Sequence, residues 1–388
     1  MYWLAIVNKK IKKWKTVREN WASEIQQKRI ATENYIWIHC ASAGEFEQAI
    51  PIIFQLKEGK YKNHKIAVSF FSPSGYEAHQ NNELIDLIFY LPIDTYSNTQ
   101  KLVEFLQPEF AIFIRNEIWL NCLFALNRKQ IPTYLINVNA NRSHSFFYKK
   151  YLGFAYPLFT KIFDTTNFGN TKIERVIQNS EVDFQDSFLD EFCKDNFVII
   201  LGSCWEIEEN WIAEFYKKQA SEIKNLKIIL APHEYDETKI QSLEKIFEQK
   251  IGSYVALKNK HKNEHKILML DQNGILKYVY RYGDLAIIGG GFGKGVHNIS
   301  EAAVYEMSVL FGPNFTKFEE VPELINCGIA HCIHSYEEME KLLLDVYFSY
   351  QKNEHLPLNE LHNFLDKQKN TSTKIVEIII DENKKRGI

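Results

Sequence analysis

Short apolar runs recur along the chain at intervals that suit strands separated by helices. From Tyr35 the runs YIWIHC, KIAVSF, LIDLIFYLP, FAIFI and PTYLINV succeed one another up to about residue 166. A second series, FVIILGS, LKIILAP, HKILML, LAIIGGG and MSVLFGP, opens near residue 196 and gives way to a helical tail from about Tyr336. Alternation of this kind predicts βαβ units on parallel sheets. Between the series, residues 176–195 are polar and acidic without a strong period, and read as a connection. The expected α/β architecture is two Rossmann-like domains whose parallel sheets face each other across a cleft. Residues 22–180 would form the N-terminal domain, 181–195 the linker and 196–388 the C-terminal domain with its helical tail.

Residues 1–21 carry a different pattern. Trp3, Val7, Ile11, Trp14, Val17 and Trp21 recur every three or four positions, while Lys9, Lys10, Lys12, Lys13, Lys15 and Arg18 occupy the others. Two readings fit: a basic amphipathic helix lying on an anionic membrane surface, or a helix docked on its own domain with a solvated basic face.

Composition narrows the class. With 388 residues, 45% of them hydrophobic and 24% charged, the chain can fill two cores. A net charge of −3 argues against broad electrostatic binding of nucleic acid. The six cysteines are scattered without a C-x-x-C pair, which indicates neither a disulfide framework nor a zinc site and fits a reducing compartment. No apolar run of 18 residues and no signal-peptide core is present, so the expectation is a chain neither secreted nor membrane-spanning.

Candidate chemistry gathers where strands end. In IWIHCASAGEFEQAIPII a strand passes through a small-residue turn, Ala41 to Gly44, into a helix interrupted near its start by Pro51, with Glu45 at the junction. Ligands of open α/β sheets sit at the carboxyl ends of strands, so Glu45 is a candidate base; the alternative is a carboxylate that stabilises its own helix end. In LAIIGGGFGKGVHNISEAA, Gly289 to Gly291 would let backbone approach a ligand, and a helix starting near Asn298 would aim free N–H groups at an anion. The spacing fits neither a P-loop nor a G-x-G-x-x-G fingerprint, since Lys294 and Val296 stand where glycines are required. Asn298 and Glu301, three apart, could hold a phosphate and a ribose, or simply cap the turn and face solvent. Gly202-Ser203, Pro232-His233 and Asn273-Gly274 each follow a strand of the same series, on one edge of the predicted sheet.

Across nearly its whole length the chain resembles the 3-deoxy-D-manno-octulosonic acid (Kdo) transferases of lipopolysaccharide assembly, which are GT-B glycosyltransferases. The resemblance is carried by HCASAGE for the family's H-x-x-S-x-G-E, SPSGYEAH, LPID, RNEIWLN for E-x-E-x-W-P-N, the Arg142-Ser143 pair and GNTKIERV. It continues through GSCWEIEE, APHE, GGGFGKGVHNISEAA and FGPNFTKF. It implies inverting, metal-independent transfer of Kdo from CMP-Kdo, with no cofactor, to the lipid A precursor lipid IVA, by a peripheral protein of the cytoplasmic face of the bacterial inner membrane. Under it, Glu45 matches the catalytic base, and Glu117 and Lys172 match residues that stabilise the transition state. Ser203, Pro232, His233, Asn273, Gly274, Ile275, Gly290, Gly291, Asn298, Ile299, Ser300 and Glu301 match donor-binding segments. Ser42, Gly44, Arg142 and Ser143 are candidates for contact with the acceptor or the donor sugar. The sequence departs from the family at His233, where Arg is usual, at Leu120 for a proline, at Ile275 for a Glu, and at Glu306 and Ser308 for a Gly and a Pro. Competing readings are another GT-B sugar-nucleotide enzyme, a different transferase or an epimerase, and a catalytically silent membrane-associated binding protein of this fold.

Overall fold

The computed structural model describes residues 16, 18–139, 145–260, 265–316 and 318–388. The chain divides into two compact units: Met1–Arg175 with Gln368–Ile388, and Val176–Lys367.

The first unit is built on a six-stranded parallel sheet. Its strands are β1 (Tyr35–Cys40), β2 (Lys65–Phe70), β3 (Leu87–Tyr90), β4 (Pro108–Ile114), β5 (Thr133–Val138) and β6 (Lys161–Asp164). Their order is β3-β2-β1-β4-β5-β6. β1 is buried on both faces, as a central parallel strand must be. Ile36, Ile38 and Cys40 enter one core layer with Ile66, Val68 and Ile112, while Tyr35 and Trp37 enter the other with Phe89 and Phe113.

The second unit carries a seven-stranded parallel sheet of β7 (Phe197–Cys204), β8 (Leu226–Pro232), β9 (Gly252–Ser253), β10 (Ile267–Met269), β11 (Leu285–Ile288), β12 (Ser308–Phe311) and β13 (Ala330–Cys332). The order is β13-β12-β11-β7-β8-β10-β9. In each sheet the winding reverses once, between β1 and β4 and between β7 and β11. That is where such sheets open a crevice at their carboxyl edge.

Several expectations are corrected. The units divide inside the helix Thr171–Ser180, not in a linker. The supposed linker 181–195 holds the helix Ser187–Cys193, capped by Asp186 and packed through Phe188, Leu189 and Phe192 into the second unit's core. Against the expectation of a tail within the second domain, the last helix, Thr371–Lys385, packs Ile375, Val376 and Ile379 into the first unit's core. There Tyr134 donates to Asn383 Oδ1 at 2.6 Å, and Asn383 Nδ2 donates to the Tyr61 hydroxyl at 2.9 Å. Pro51 does not interrupt its helix, which runs unbroken from Ala43 to Glu58.

The amphipathic pattern of residues 1–21 lies outside the described residues up to residue 15 and at 17. At its end, Trp21 opens the helix Trp21–Lys28 and is buried in the first unit's core. Arg18 is buried beside it; its Nε donates to Leu91 O at 2.9 Å and its guanidinium lies over the rings of Phe71 and Tyr90. Burial lowers the Arg18 pKa to about 10. At these two positions the docked reading holds, because a paired, desolvated guanidinium is unavailable to a membrane.

Candidate active site

The turn after β1 is fixed by two short-range devices. Ser42 takes the extended N-cap conformation, and the helix starts one residue later at Ala43. Glu45, in the first turn, folds back so that its carboxylate accepts from the backbone N–H of Ala41, one residue before the N-cap. Ser42 thus stands at the N-cap and Gly44 in the first turn of the helix, Gly44 exposed with open space where a Cβ would stand.

The loop after β4 brings a second carboxylate to this edge. Glu117 Oε2 accepts from Trp119 Nε1 at 2.8 Å and lies 3.2 Å from His39 Nε2. His39 is fully buried, and its Nδ1 is 2.8 Å from Ser69 Oγ, which also accepts from Trp37 Nε1 at 2.8 Å. A buried relay, Trp37, Ser69, His39, therefore ends on Glu117. Arg115 opens this loop at φ 63°, its N–H held by Ile136 O at 2.7 Å.

The two carboxyls are driven apart. Burial and then repulsion from Glu117 push Glu45 up to about 7, against the backbone N–H groups of Ala41 and Ser42 and the charge of Arg115. Burial opposes ionisation of Glu117 as well, yet the hydrogen bonds and charge from His39 and the Trp119 bond hold it below the usual carboxylate range. Neighbouring carboxyls split in this way take distinct roles: one stays anionic, the other can hold or release a proton near neutrality.

Lys172 stands in the first turn of the helix Thr171–Ser180, half-buried, its backbone N–H accepted by Asn170 Oδ1 at 2.9 Å. That helix start is tied to the Glu45 helix by a buried network. Asn137, at φ 61°, donates to Gln48 Oε1 at 3.0 Å and to Thr171 Oγ1 at 2.7 Å, and Thr171 Oγ1 donates to Gln48 O at 2.7 Å. Arg142 and Ser143 lie outside the described residues.

In the second unit the loops after β7, β8 and β11 meet. The Trp205 ring stacks on His233 at 4.5 Å, His233 lies 4.6 Å from His297, and Lys294 Nζ is 5.3 Å from the Trp205 ring. Pro232 closes β8, and the His233 N–H donates to Cys204 O at 3.0 Å. Ser203 takes φ 50° at the end of β7. Asn298 Nδ2 donates to Glu301 Oε1 at 3.0 Å. Trp205 Nε1, Asn298 Oδ1 and Ser300 Oγ are buried with no hydrogen-bond partner. Each such group costs about 1–3 kcal/mol unless a ligand satisfies it. Asn273 and Gly274, at φ 84°, are exposed on the loop after β10. Ile275 packs partly into the core.

Two expectations change here. No helix starts at Asn298; only one turn, Ser300–Ala303, follows, with Ile299 wholly buried, so a helix-end anion site is not formed. The glycines serve close backbone packing: a Cβ on Gly289 would stand 2.3 Å from Ser203 O, and one on Gly291 2.5 Å from Gly312 N. The Gly290 N–H is already accepted by Glu208 Oε1 at 3.0 Å, and Glu208 Oε2 accepts from Trp205 N at 3.0 Å. One buried carboxylate thus locks the β7 and β11 loops together. His39, Arg115, Trp205 and Glu208 are not singled out by the sequence reading, although all four fall in its motifs HCASAGE, RNEIWLN and GSCWEIEE.

Two parallel-sheet α/β units with polar groups gathered at their carboxyl edges are of the GT-B type. Solved counterparts include the UDP-GlcNAc 2-epimerase of Neisseria meningitidis, at TM-score 0.61 and 12% identity over 89% of this chain and 100% of that one. A glycosyltransferase of Rickettsia africae matches at TM-score 0.59 and 12% identity, over 90% of this chain and 99% of that one. Residues 14–177 match the family model described as 3-deoxy-D-manno-octulosonic-acid transferase (kdotransferase). The 3-deoxy-D-manno-octulosonic acid transferase of Aquifex aeolicus is 26% identical over 295 residues, 75% of this chain and 79% of that protein. These likenesses support the Kdo transferase family, a family of glycosyltransferases. Among the described residues no helix is long and apolar enough to cross a membrane.

Proposed function

We propose that the protein transfers Kdo from CMP-Kdo to the lipid A precursor lipid IVA, with inversion at the anomeric carbon and without a metal ion. In this reading the acceptor hydroxyl gives its proton to the Glu45 carboxylate as its oxygen attacks the anomeric carbon, and CMP leaves. Glu117 stays anionic and favours the positive charge that grows on the sugar, with Lys172 as its companion in the transition state. Trp205, His233, Asn298, Ser300 and Glu301 receive CMP. The protein works as a peripheral protein at the cytoplasmic face of the inner membrane, where its acceptor is embedded.

The observation that carries this reading is the carboxyl of Glu45, raised to about 7 beside an ionised Glu117. A base of that pKa is half-ionised at working pH and still basic enough to take a proton. The test is incubation with CMP-Kdo and tetraacylated lipid A precursor, with mass spectrometry counting the sugars added. Transfer that persists in EDTA, with protection against heating by CMP but not UDP, supports the proposal; a requirement for a UDP-sugar overturns it.

A further inference from the structure

The helix Phe146–Ala155, FFYKKYLGFA, turns an apolar face outward. Leu152 and Ala155 are buried, whereas Phe146, Phe147 and Phe154 are 77%, 82% and 65% exposed. Side chains of this size are seldom left in water so completely, and a cluster of them marks an interaction surface. Phe146 and Phe147 touch each other edge to face at 5.9 Å and are not folded back on the sheet. Lys149 and Lys150, also exposed, lie between them and Phe154, and the helix holds no acidic residue. Ser145 caps its start.

The helix is anchored beside the catalytic loop. The Tyr151 hydroxyl donates to Ile118 O at 2.7 Å, and Ile118 lies between Glu117 and Trp119. Whatever covers the three phenylalanines is thereby held near the carboxylate pair.

We propose that this helix is an interfacial anchor: Phe146, Phe147 and Phe154 insert into the headgroup–acyl boundary of an anionic bilayer, while Lys149 and Lys150 pair with lipid phosphates. Phenylalanine with lysine on one short, acid-free surface is the composition of such helices, and the two cations fit a negative leaflet rather than an apolar protein partner. The proposal rests on the lipid acceptor of the preceding section and names the surface that presents that acceptor to Glu45.

The test uses the full-length protein with vesicles free of acceptor, rich in phosphatidylglycerol or made of phosphatidylcholine alone. Phe147→Trp should gain fluorescence quenching by brominated phosphatidylglycerol over the wild type. The triple variant Phe146→Ser, Phe147→Ser, Phe154→Ser should partition roughly tenfold or more weakly into anionic vesicles while keeping the wild-type melting temperature. Lys149→Gln with Lys150→Gln should weaken binding to phosphatidylglycerol vesicles only, an effect that salt removes. A Trp at 147 that stays unquenched on vesicles carrying bound protein overturns the proposal, as does a lipid-free oligomer that the triple variant dissolves with vesicle binding intact. Because no acceptor or donor is present, insertion is scored separately from Kdo transfer; an inserted but inactive enzyme would sink the proposed function and leave the anchor standing.

Discussion

Glu45 and Glu117 follow adjacent strands, yet their acidities diverge because their hydrogen-bond partners differ. Glu45 meets backbone amides in a desolvated turn, while Glu117 has an indole and an imidazole. We therefore expect kcat/KM to rise with pH through about 7 and then level. Glu45→Gln should lower kcat at least roughly 10²-fold without weakening CMP binding; near wild-type turnover would remove Glu45 from the base role. The same residue gives a signed stability test. Its pKa is higher folded than the ~4.3 of an unfolded chain, so its stabilising contribution is full below that value and is lost as pH climbs through about 7. Glu45→Gln should match the wild type in melting near pH 4 and exceed it near pH 8, by about 2 kcal/mol after allowing for partial exposure. Arg115 opposes the upward shift. Arg115→Gln should thus move the rising limb of the pH profile to higher pH, and an unmoved limb would show that its charge does not reach Glu45.

Among the elements, what the sequence revealed followed burial. β1, β2, β7 and β8 were legible because both faces are apolar, giving runs that only a central parallel strand explains. β9 and β13 escaped because two or three residues hold no period, and β6 because KIFD begins and ends in charge. The Pro51 misreading has a local cause: proline removes one donor and crowds the preceding turn, but Phe46, Ile50, Ile52 and Ile53 are buried around it and hold the helix. The strand-end positions of Glu45, Glu117 and His233 could be read from order along the chain. The partners that tune them could not: His39 meets Glu117 across 78 positions, and Glu208 meets Gly290 across 82. Glu208 supplies this scale's prediction. Glu208→Ala leaves a buried Gly290 N–H unpaired, at about 1–3 kcal/mol, and frees the β7 and β11 loops. Calorimetric titration should show weaker CMP binding with turnover at saturating donor little changed; unaltered CMP affinity would mean the loops hold without it.

For the molecule as a whole, two units with separate cores should unfold in two calorimetric steps. CMP should raise only the step that belongs to residues 176–367, and an equal shift of both would place its site elsewhere. The first unit depends on the chain's end: Glu174 is buried with Ser372, accepting from its N and Oγ at 2.8 Å each. A chain ending at residue 367 should lose this partner and the cover of Ile375, Val376 and Ile379, lowering the first unit's transition and sparing the second.

The return of the C-terminus to the first sheet also sets an order of birth. The ribosome finishes β1 to β6 early, but their last covering helix begins only at Thr371, after all of the second unit. The gap between residues 175 and 367 takes roughly 10–40 s at about 5–20 residues per second. During that interval the half-made first unit leaves Tyr61, Tyr134 and Glu174 without their C-terminal partners, a surface suited to a chaperone, while the second unit can close on its own. Protease pulses on stalled nascent chains should find the second unit resistant first, and the first unit resistant only once residues 368–388 have left the tunnel.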